Sequence, residues 1–533
     1  MARPGEWRPD SWRNKTVAQP VHYEGEKAEK LPTVLQKLSN LPPLVTPSEI
    51  ERLRHQLSLV QSNKAFLLHA GDCAESFEGC TAGNIEKKVG LILSFSLVLV
   101  WGGRKPVVRV GRIAGQYAKP RSSPKEKVKI KSENGEETIK EVMSFRGDNV
   151  NGLDVNDREP DPERLLSAYF HSTTTLNYIR ALLTSGFASL HGTHPRDWSL
   201  NHVRSDTLRK SFGKIIDGLS DALDFSHTIG ATGGGAGEFE RGAGRGPLGE
   251  ARALTFISLT TFSRTLYDSH EGLMLGYEEA LTREAPIPGQ AKVLLNSFDW
   301  KPTELLQQKA SYNTSAHFIW IGDRTRQLDG AHVEYFRGIR NPIGIKVGPS
   351  MQSDELVRLV GIVNPDKEPG RVTLITRYGA EKVEAHLPGH IKAIQESGHP
   401  VAWICDPMHG NTQTSPSGLK TRHFKSIITE LTSTLAVHSR LNSDLGGVSL
   451  EFTGELNEEG YSVTECLGGS MELAEEELGL RYQSFCDPRL NFEQSLDLAF
   501  LLSNHFKQAR KGASQSAFGG KLYEELGGAS VSQ

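Results

Sequence analysis

The stretch VAWICDPMHGN, residues 401–411, decides the fold that we predict for this chain. Its first five residues form an apolar run of strand character. The run then stops at an acid, a proline, a histidine, a glycine and an asparagine, which cannot all belong to a core. A buried strand that ends in polar residues positions these residues for a functional site. We therefore expect His409, and at this point equally Asp406, to lie in a functional site.

Seven other stretches of the chain have the same form, and segments of helical periodicity separate them. They are AFLLHAGD (65–72), PVVRVGR (106–112), ASLHGTH (188–194), HFIWIGD (317–323), IGIKVGP (343–349), RVTLITR (371–377) and VSLEFTG (448–454). Near-continuous apolar strands that alternate with helices are typical of a parallel sheet buried on both faces. Eight such units predict an α/β protein with a (β/α)8 TIM barrel, whose functional site lies at the carboxyl ends of the strands.

The predicted barrel occupies residues 64–511, far more than the ~250 positions that a bare barrel needs. We assign the surplus to helical and loop insertions around 121–145, where a charged hairpin or loop is expected, and around 200–265. The second insertion contains the glycine-rich segment 230–250. This segment lacks the Gly-Lys-Ser/Thr of a phosphate-binding loop and is interpreted as a surface insertion. Residues 512–533 are expected to form a disordered tail.

Residues 1–63 are predicted to be a partly helical N-terminal extension. The sequence TPSE, residues 46–49, is a capping box with proline at the first helical position. An apolar stripe follows on one face of this helix, made of Ile50, Leu53, Leu57 and Val60. The stripe must be buried on the main body or on another subunit, and an exposed stripe of this kind predicts a homo-oligomer.

Composition argues against several classes of protein. The 533 residues are 37% hydrophobic and 23% charged, and the formal net charge of −3 gives no reason to expect nucleic acid or an anionic membrane as a partner. Apolar runs fall short of the ~20 residues that cross a bilayer, and the N-terminus lacks a hydrophobic signal core. Five cysteines without regular spacing fit a reducing compartment, so we predict a cytoplasmic protein.

One group of residues at the predicted strand ends has the chemistry of a metal site. Cys73 follows the first strand, His409 follows the seventh, and Glu451 lies in the eighth; Asp487, in the turn before the closing helix, is a good fourth candidate. A lone cysteine after a strand more often packs in a core, but four residues at converging positions favour a ligand set. Thiolate, imidazole and carboxylate ligands suit Mn, Fe, Co or Zn and do not select among them.

A second group consists of cations that follow apolar strands. They are Arg112, Lys119, Arg121, Arg324, Lys346 and Arg377. An unpaired charge is costly at such positions, so these side chains are expected to bind anions, and their number implies more than one phosphate or carboxylate. A metal ion and two anion sites in one barrel mouth predict an enzyme that condenses two phosphorylated small molecules.

The residues at these positions lie in motifs that resemble those of the type II 3-deoxy-D-arabino-heptulosonate 7-phosphate (DAHP) synthases. The motifs are AGDCAE (70–75), GRIAGQYAKPRS (111–122), RGDNVNG (146–152), SHEGL (269–273), WIGDRTRQLDGAH (320–332), GIKVGP (344–349), DPMHGNT (406–412), VTECLGG (463–469) and CDPRLN (486–491). The similarity extends from WRPDSW (7–12) to the closing helix. It implies a transferase that opens the shikimate pathway, which leads to chorismate and the aromatic amino acids.

The resemblance also implies substrates, a metal ion and the residues that bind them. Phosphoenolpyruvate and erythrose 4-phosphate would condense to DAHP and phosphate. A divalent metal, with Mn or Co favoured over Zn, Fe or Cd, would be held by Cys73, His409, Glu451 and Asp487. Phosphoenolpyruvate would be bound by Arg112, Asp323, Arg324, Lys346 and Arg377. Erythrose 4-phosphate would be bound by Arg121, Ser122, Lys420 and Arg422. The catalytic residues would be Lys119, Asp323 and His409.

Some features of the chain leave alternatives open. The family pattern usually has glutamate where this chain has Asp323, one methylene less. Microbial members of the family are often inhibited by aromatic amino acids, which are therefore candidate effectors. The rival interpretations are a related phosphoenolpyruvate-dependent sugar-phosphate synthase, a metallohydrolase, and a catalytically weakened regulatory homologue.

Overall fold

Eight parallel strands form a closed barrel in the computed structural model of the chain. The structure describes residues 7–131, 137–185, 187, 206–228, 265–288, 309–470 and 475–510. The barrel strands are Phe66–Gly71 (β1), Val107–Arg112 (β2), Tyr267–Glu271 (β5), Phe318–Ile321 (β8), Ile343–Val347 (β9), Val372–Thr376 (β10), Val401–Cys405 (β11) and Gly447–Glu451 (β14). They follow the order β1-β14-β11-β10-β9-β8-β5-β2, and each neighbouring pair is parallel. The predicted (β/α)8 TIM barrel with insertions is confirmed.

Helices surround this barrel. Their bounds are Gly25–Asn40 (α1), Pro47–Gln61 (α2), Ala82–Gly103 (α3), Glu163–Thr184 (α4), Asp206–Thr228 (α5), Leu275–Ala280 (α6), Ala331–Gly338 (α7), Ser353–Val363 (α8), Val383–Ser397 (α9), Phe424–Arg440 (α10) and Phe492–Arg510 (α11), with short 3-10 helices at Ser11–Asn14 and Glu475–Leu480. None of the helices in the described part of the chain combines the length and the apolarity that a membrane span requires.

Three two-stranded antiparallel sheets lie outside the barrel. They pair Lys125–Lys131 (β3) with Glu137–Met143 (β4), Thr282–Pro286 (β6) with Lys309–Asn313 (β7), and Thr412–Thr414 (β12) with Lys420–Arg422 (β13). The first of these is the charged hairpin expected in the insertion around residues 121–145. The glycine-rich segment 230–250 and the tail 512–533 lie outside the described residues.

The third barrel strand in chain order is β5, and the prediction of a third strand at 188–194 is wrong. Residues 188–194, with His191 and His194, lie outside the described residues. The sequence of β5, YDSHE, has no apolar run, because four of its five residues are polar or charged. Ser269 finds polar partners inside the protein instead. It donates a hydrogen bond to the Gly111 carbonyl (2.8 Å) and shares one with His69 Nε2 (3.0 Å). Paired polar groups of this kind can be buried.

Helix α2 closes the amino-terminal end of the barrel. The Thr46 side chain and the Glu49 side chain form the predicted capping box. The predicted stripe is buried, and Leu53, Leu57 and Val60 pack in one cluster with apolar residues from the interior of the barrel. The stripe is therefore covered by its own chain. Of the two predicted alternatives, burial on the main body is the one observed, so this stripe gives no argument for self-association. The homo-oligomer itself stays a prediction.

Candidate active site

A cavity of about 340 Å³ opens at the carboxyl ends of the barrel strands. Eleven of the residues predicted from the sequence line it: Arg112, Lys119, Arg121, Ser122, Asp323, Arg324, Lys346, Arg377, His409, Lys420 and Asp487. Three further predicted residues, Cys73, Glu451 and Arg422, are buried next to it. Because these residues come from many different strands and loops, the fold alone brings them together.

The four predicted metal ligands fall in two neighbouring groups that share Asp487. Suitable atoms of His409, Glu451 and Asp487 lie within 4.8 Å of one another, and so do those of Cys73, Cys486 and Asp487. Asp487 belongs to both groups. His409 Nε2 is 3.0 Å from Glu451 Oε1, and Cys73 Sγ is 3.6 Å from Asp487 Oδ2. One sulfur, one imidazole nitrogen and two carboxylates fit a borderline divalent ion.

Asp406 orients His409. Its Oδ2 atom is 2.7 Å from His409 Nδ1, which leaves Nε2 facing the ligand cluster, and its Oδ1 atom accepts the backbone N–H groups of Met408 and His409. The same carboxylate pairs with Lys346. A carboxylate behind a ligating histidine fixes the ring and its tautomer. Cys405 is buried against helix α10, as expected for a core residue.

Two arginines neutralise Glu451. Arg112 Nη2 is 2.8 Å from Oε1 of this carboxylate, and Arg422 Nη1 is 2.9 Å from Oε2. Burial favours the neutral acid, but His409, Arg422 and Arg112 outweigh it and hold the pKa of Glu451 well below its usual range. The carboxylate is therefore ionised. Arg422 is fully buried behind it, bonded also to the Pro488 carbonyl.

The cations predicted to bind phosphoenolpyruvate form one wall of the cavity. Arg377 donates from Nη1 to Asp323 Oδ2 (3.0 Å) and from Nη2 to the His409 carbonyl (3.1 Å). The guanidinium of Arg112 lies 5.1 Å from the centre of the Trp320 ring, a cation–π arrangement that holds it in place. Arginines held in this way keep a fixed geometry for a carboxylate or a phosphate.

Three of the four residues predicted to bind erythrose 4-phosphate, Arg121, Ser122 and Lys420, line the cavity. Arg324 Nη2 donates to Ser122 Oγ (2.8 Å), and Lys420 Nζ is 2.8 Å from Asp487 Oδ1. Arg121 also lines the cavity. The structure thus brings Arg121, Ser122 and Lys420 to the cavity wall and does not bring Arg422 there.

Lys119 lies against the sulfur of Cys73. Its Nζ atom is 3.1 Å from Cys73 Sγ and 3.0 Å from the Cys73 carbonyl oxygen. Burial alone would lower the pKa of this ammonium group, but the neighbouring thiols and the carboxylates of Glu451 and Asp487 raise it well above its usual range. Lys119 is therefore a fixed positive charge beside the metal-ligand cluster.

Glu271 is a cavity residue that the apolar strand pattern does not predict. It ends β5 and lines the cavity, and its buried Oε1 atom has no hydrogen-bond partner. Burial raises the pKa of Glu271, although Lys119, Lys346 and Arg112 act in the opposite direction. A buried carboxylate oxygen without a partner, aimed into a site, is placed to bind a reacting group or a water. The motif SHEGL (269–273), which contains this residue, was the available signal.

Replacing Glu271 with glutamine should lower kcat about 100-fold, because the amide keeps the volume but cannot accept a proton. The KM for the anionic substrate should stay within a few-fold of the wild-type value. Steady-state kinetics measure both, and E284Q is the control, since Glu284 forms an exposed pair with Lys309. An unchanged kcat for E271Q would show that this carboxylate takes no part in the reaction.

Fold and cavity together define a barrel enzyme whose site is built for anionic small molecules. The class-II DAHP synthetase family matches residues 7–503 of the chain. The chain belongs to this family, and it is an enzyme of the transferase type in aromatic biosynthesis. The family predicted from the motifs is confirmed. A divalent metal is general to the family, and the cluster around Asp487 offers it ligands.

Curated relatives match nearly the whole chain. A phospho-2-dehydro-3-deoxyheptonate aldolase of Neurospora crassa is 49% identical over 507 residues, which are 95% of this chain and 95% of the relative. A protein of the same name from Streptomyces coelicolor is 39% identical over 93% of this chain and 97% of its own length. A third, from Mycolicibacterium smegmatis, is 40% identical over 93% of this chain and 94% of its own length.

Proposed function

We propose that the chain condenses phosphoenolpyruvate with erythrose 4-phosphate to give DAHP and phosphate, the first step of the shikimate pathway. The observation that carries this proposal is the convergence, in one cavity, of a metal-ligand set with cations from several strands. Both substrates are phosphorylated, and phosphoenolpyruvate adds a carboxylate, so these cations have anions to bind. The names of the curated relatives support the same product.

The proposed ligands of the divalent ion are Cys73, His409, Glu451 and Asp487, with Mn or Co as the first choice and Zn, Fe or Cd as the others. Their donor atoms lie in two overlapping close groups and are of the types that such ions prefer. Cys486 lies within reach of the same group. A bound ion would act as a Lewis acid toward the aldehyde oxygen of erythrose 4-phosphate.

Phosphoenolpyruvate is proposed to bind between Arg112, Lys346 and Arg377, with Arg324 and Asp323 completing the wall. Cations fixed by their own contacts hold the carboxylate and the phosphate so that C3 faces the aldehyde carbon, which makes the attack effectively intramolecular. Asp323 reaches Arg377 at 3.0 Å despite its shorter side chain. We infer that it positions this arginine and does not handle water.

The remaining steps use Glu271 and Lys119. When the C3–C1 bond has formed, the former aldehyde oxygen carries a negative charge and C2 is left cationic. Water adds to C2 and gives a proton to Glu271, which passes it to the former aldehyde oxygen, while the positive charge of Lys119 stabilises the negative charge on that oxygen. The hemiketal then breaks its bond from C2 to the phosphate oxygen. Phosphate leaves with the proton of the C2 hydroxyl, and C2 becomes the ketone carbon of DAHP.

Arg121, Ser122 and Lys420 are proposed to hold the phosphate of erythrose 4-phosphate. Arg422 was expected in the same group, but its position behind Glu451 supports a role in holding that carboxylate. A substitution at Lys420 should therefore raise the KM for erythrose 4-phosphate. A substitution at Arg422 should weaken metal binding.

Release of inorganic phosphate tests the proposed function. It should require phosphoenolpyruvate, erythrose 4-phosphate and Mn or Co together, and a chelator should abolish it until metal is restored. Arabinose 5-phosphate in place of erythrose 4-phosphate tests the related synthase, and release from phosphoenolpyruvate alone tests a metallohydrolase. No release under any of these conditions would support a regulatory homologue and overturn the proposal.

We further propose that residues 1–63 form an extension to a barrel that spans 64–511, and that aromatic amino acids are effectors. Free thiols at all five cysteines fit a reducing compartment such as the cytoplasm. Inhibition assays with tryptophan, phenylalanine and tyrosine test the effectors directly. The oligomeric state is to be measured by light scattering.

A further inference from the structure

One buried carboxylate outside the cavity holds two of its loops together. Glu430 lies in helix α10 and is fully buried. The first loop follows β10 and begins with Arg377, one of the cations proposed to bind phosphoenolpyruvate. The second follows β11 and carries His409, a proposed metal ligand, and Asn411. Glu430 itself does not line the cavity, so any effect on the reaction must pass through these loops.

Both oxygens of Glu430 accept hydrogen bonds from the loops. Oε1 accepts the backbone N–H groups of Tyr378 and Gly379, each at 2.8 Å, and Oε2 accepts Asn411 Nδ2 at 2.7 Å. The amide of Asn411 extends the link, because its Oδ1 atom accepts the backbone N–H of Ala380 at 3.0 Å. A single carboxylate therefore accepts three donors, two from one loop and one from the other.

The two loops also touch directly at two glycines. Gly379 has a φ of +90°, and a Cβ atom at Gly410 would lie 2.3 Å from the Gly379 nitrogen. Only glycine allows the backbones to approach this closely. On the cavity side, Arg377 Nη2 donates to the His409 carbonyl at 3.1 Å. A displacement of either loop is thus transmitted to the other, and with it to a substrate cation or to a metal ligand.

We propose that Glu430 is a positioning residue that couples the loop of Arg377 to the loop of His409, so that phosphoenolpyruvate and the divalent metal ion bind cooperatively. This inference rests on the proposed function for the identity of the two ligands. Glu430 touches neither of them. It keeps both loops in the arrangement that either ligand requires, so that binding of one removes part of the ordering cost for the other.

Glutamine at this position cannot reproduce the link. A carboxylate offers two acceptor oxygens, whereas a carboxamide offers one oxygen and an NH2 group that only donates. If the oxygen faces Tyr378 and Gly379, the NH2 group meets the NH2 group of Asn411; in the other orientation it meets two backbone donors. Rotation of the Asn411 amide would remove its bond to Ala380. Each arrangement leaves at least one buried donor without a partner.

Calorimetric titration of the full-length protein with MnCl2, with and without phosphoenolpyruvate, tests the coupling. The wild-type protein should bind Mn²⁺ about tenfold more tightly when phosphoenolpyruvate is present, a magnitude typical of coupled sites. In E430Q this factor should fall to about twofold or less, and the KM for phosphoenolpyruvate should rise about tenfold with that for erythrose 4-phosphate unchanged. The control is E384Q, since Glu384 of α9 forms an exposed pair with Arg440, in the same helix as Glu430.

A second variant keeps the test valid if E430Q folds poorly. N411A removes the bonds from Asn411 to Glu430 and to Ala380, and it should reduce the coupling factor as E430Q does. An unchanged factor in a folded variant, or equal rises in both KM values, would overturn the inference. If the wild-type protein turns over but shows no coupling, only this inference fails. If it neither binds phosphoenolpyruvate nor releases phosphate from the substrate pair, the proposed function fails.

Discussion

Replacing Cys73 with serine is expected to lower turnover and the affinity for a divalent metal together, each by about 100-fold. A serine hydroxyl stays protonated where a thiol can become a thiolate ligand, so the variant loses one of the three anionic donors in the set of four. Burial, together with the neighbouring Cys486, raises the pKa of the Cys73 thiol well above its usual value in the metal-free protein. A metal ion must therefore displace a proton, and its affinity for the wild-type protein should rise with pH.

Metal titration and phosphate release, measured on the same samples of C73S, check this expectation. C80S is the matched control, because Cys80 lies away from the cluster with its Sγ atom 3.3 Å from Thr175 Oγ1. The pH dependence of metal affinity should be weaker in C73S than in the wild-type protein. Full activity of C73S in metal-depleted buffer would show that the thiol is not a ligand.

Replacing Lys119 with methionine should separate turnover from metal binding. Turnover should fall by roughly 10²- to 10⁴-fold, the range for loss of a positioned proton-transfer or charge-stabilising group. Metal affinity should stay the same or increase, because the substitution removes a positive charge 3.1 Å from Cys73 Sγ. The stem of methionine fills similar space, so the fold should be kept.

The control for this variant is K127M, since Lys127 is exposed on the β3 hairpin. Circular dichroism before and after metal addition monitors folding. The turnover of K119M is compared with that of K127M at saturating Mn²⁺. If K119M lost metal affinity and turnover in parallel, Lys119 would only hold the metal-ligand cluster in place. Such parallel losses would contradict its proposed role in the reaction.

Most of the fold could be predicted because apolar strands with polar ends repeat along the chain. Strand β11 illustrates this: its five residues are buried nearly throughout, and His409 follows at the cavity. Strand β5 shows the limit of the approach. Ser269 and Asp268 in YDSHE bond to residues of other barrel strands or their flanks, such as His69 and His317, and pairing between distant residues leaves no trace in a local apolar pattern. Glu271 was missed for the same reason.

The sequence also could not show how deep in the barrel mouth each predicted side chain lies. Arg422 and Lys420 are two residues apart in β13, and the sequence favours both as phosphate-binding cations. In the structure Lys420 reaches the cavity wall, whereas Arg422 points inward to Glu451. Strand alternation does not explain the difference, because residues two apart lie on the same side of a strand. The direction of each side chain is decided by the carboxylate it can neutralise.

The closure of the barrel by helix α2 has a consequence for how the chain folds. The side chain of Gln61, at the end of this helix, donates to the carbonyl of Pro400, 339 positions away. Contacts between such distant residues form slowly, since a long loop must close before they give any stabilisation. During synthesis from the N-terminus, the apolar stripe of α2 is made long before the strands that cover it. It is exposed in that interval, and exposed apolar surface makes an unfinished chain prone to aggregation.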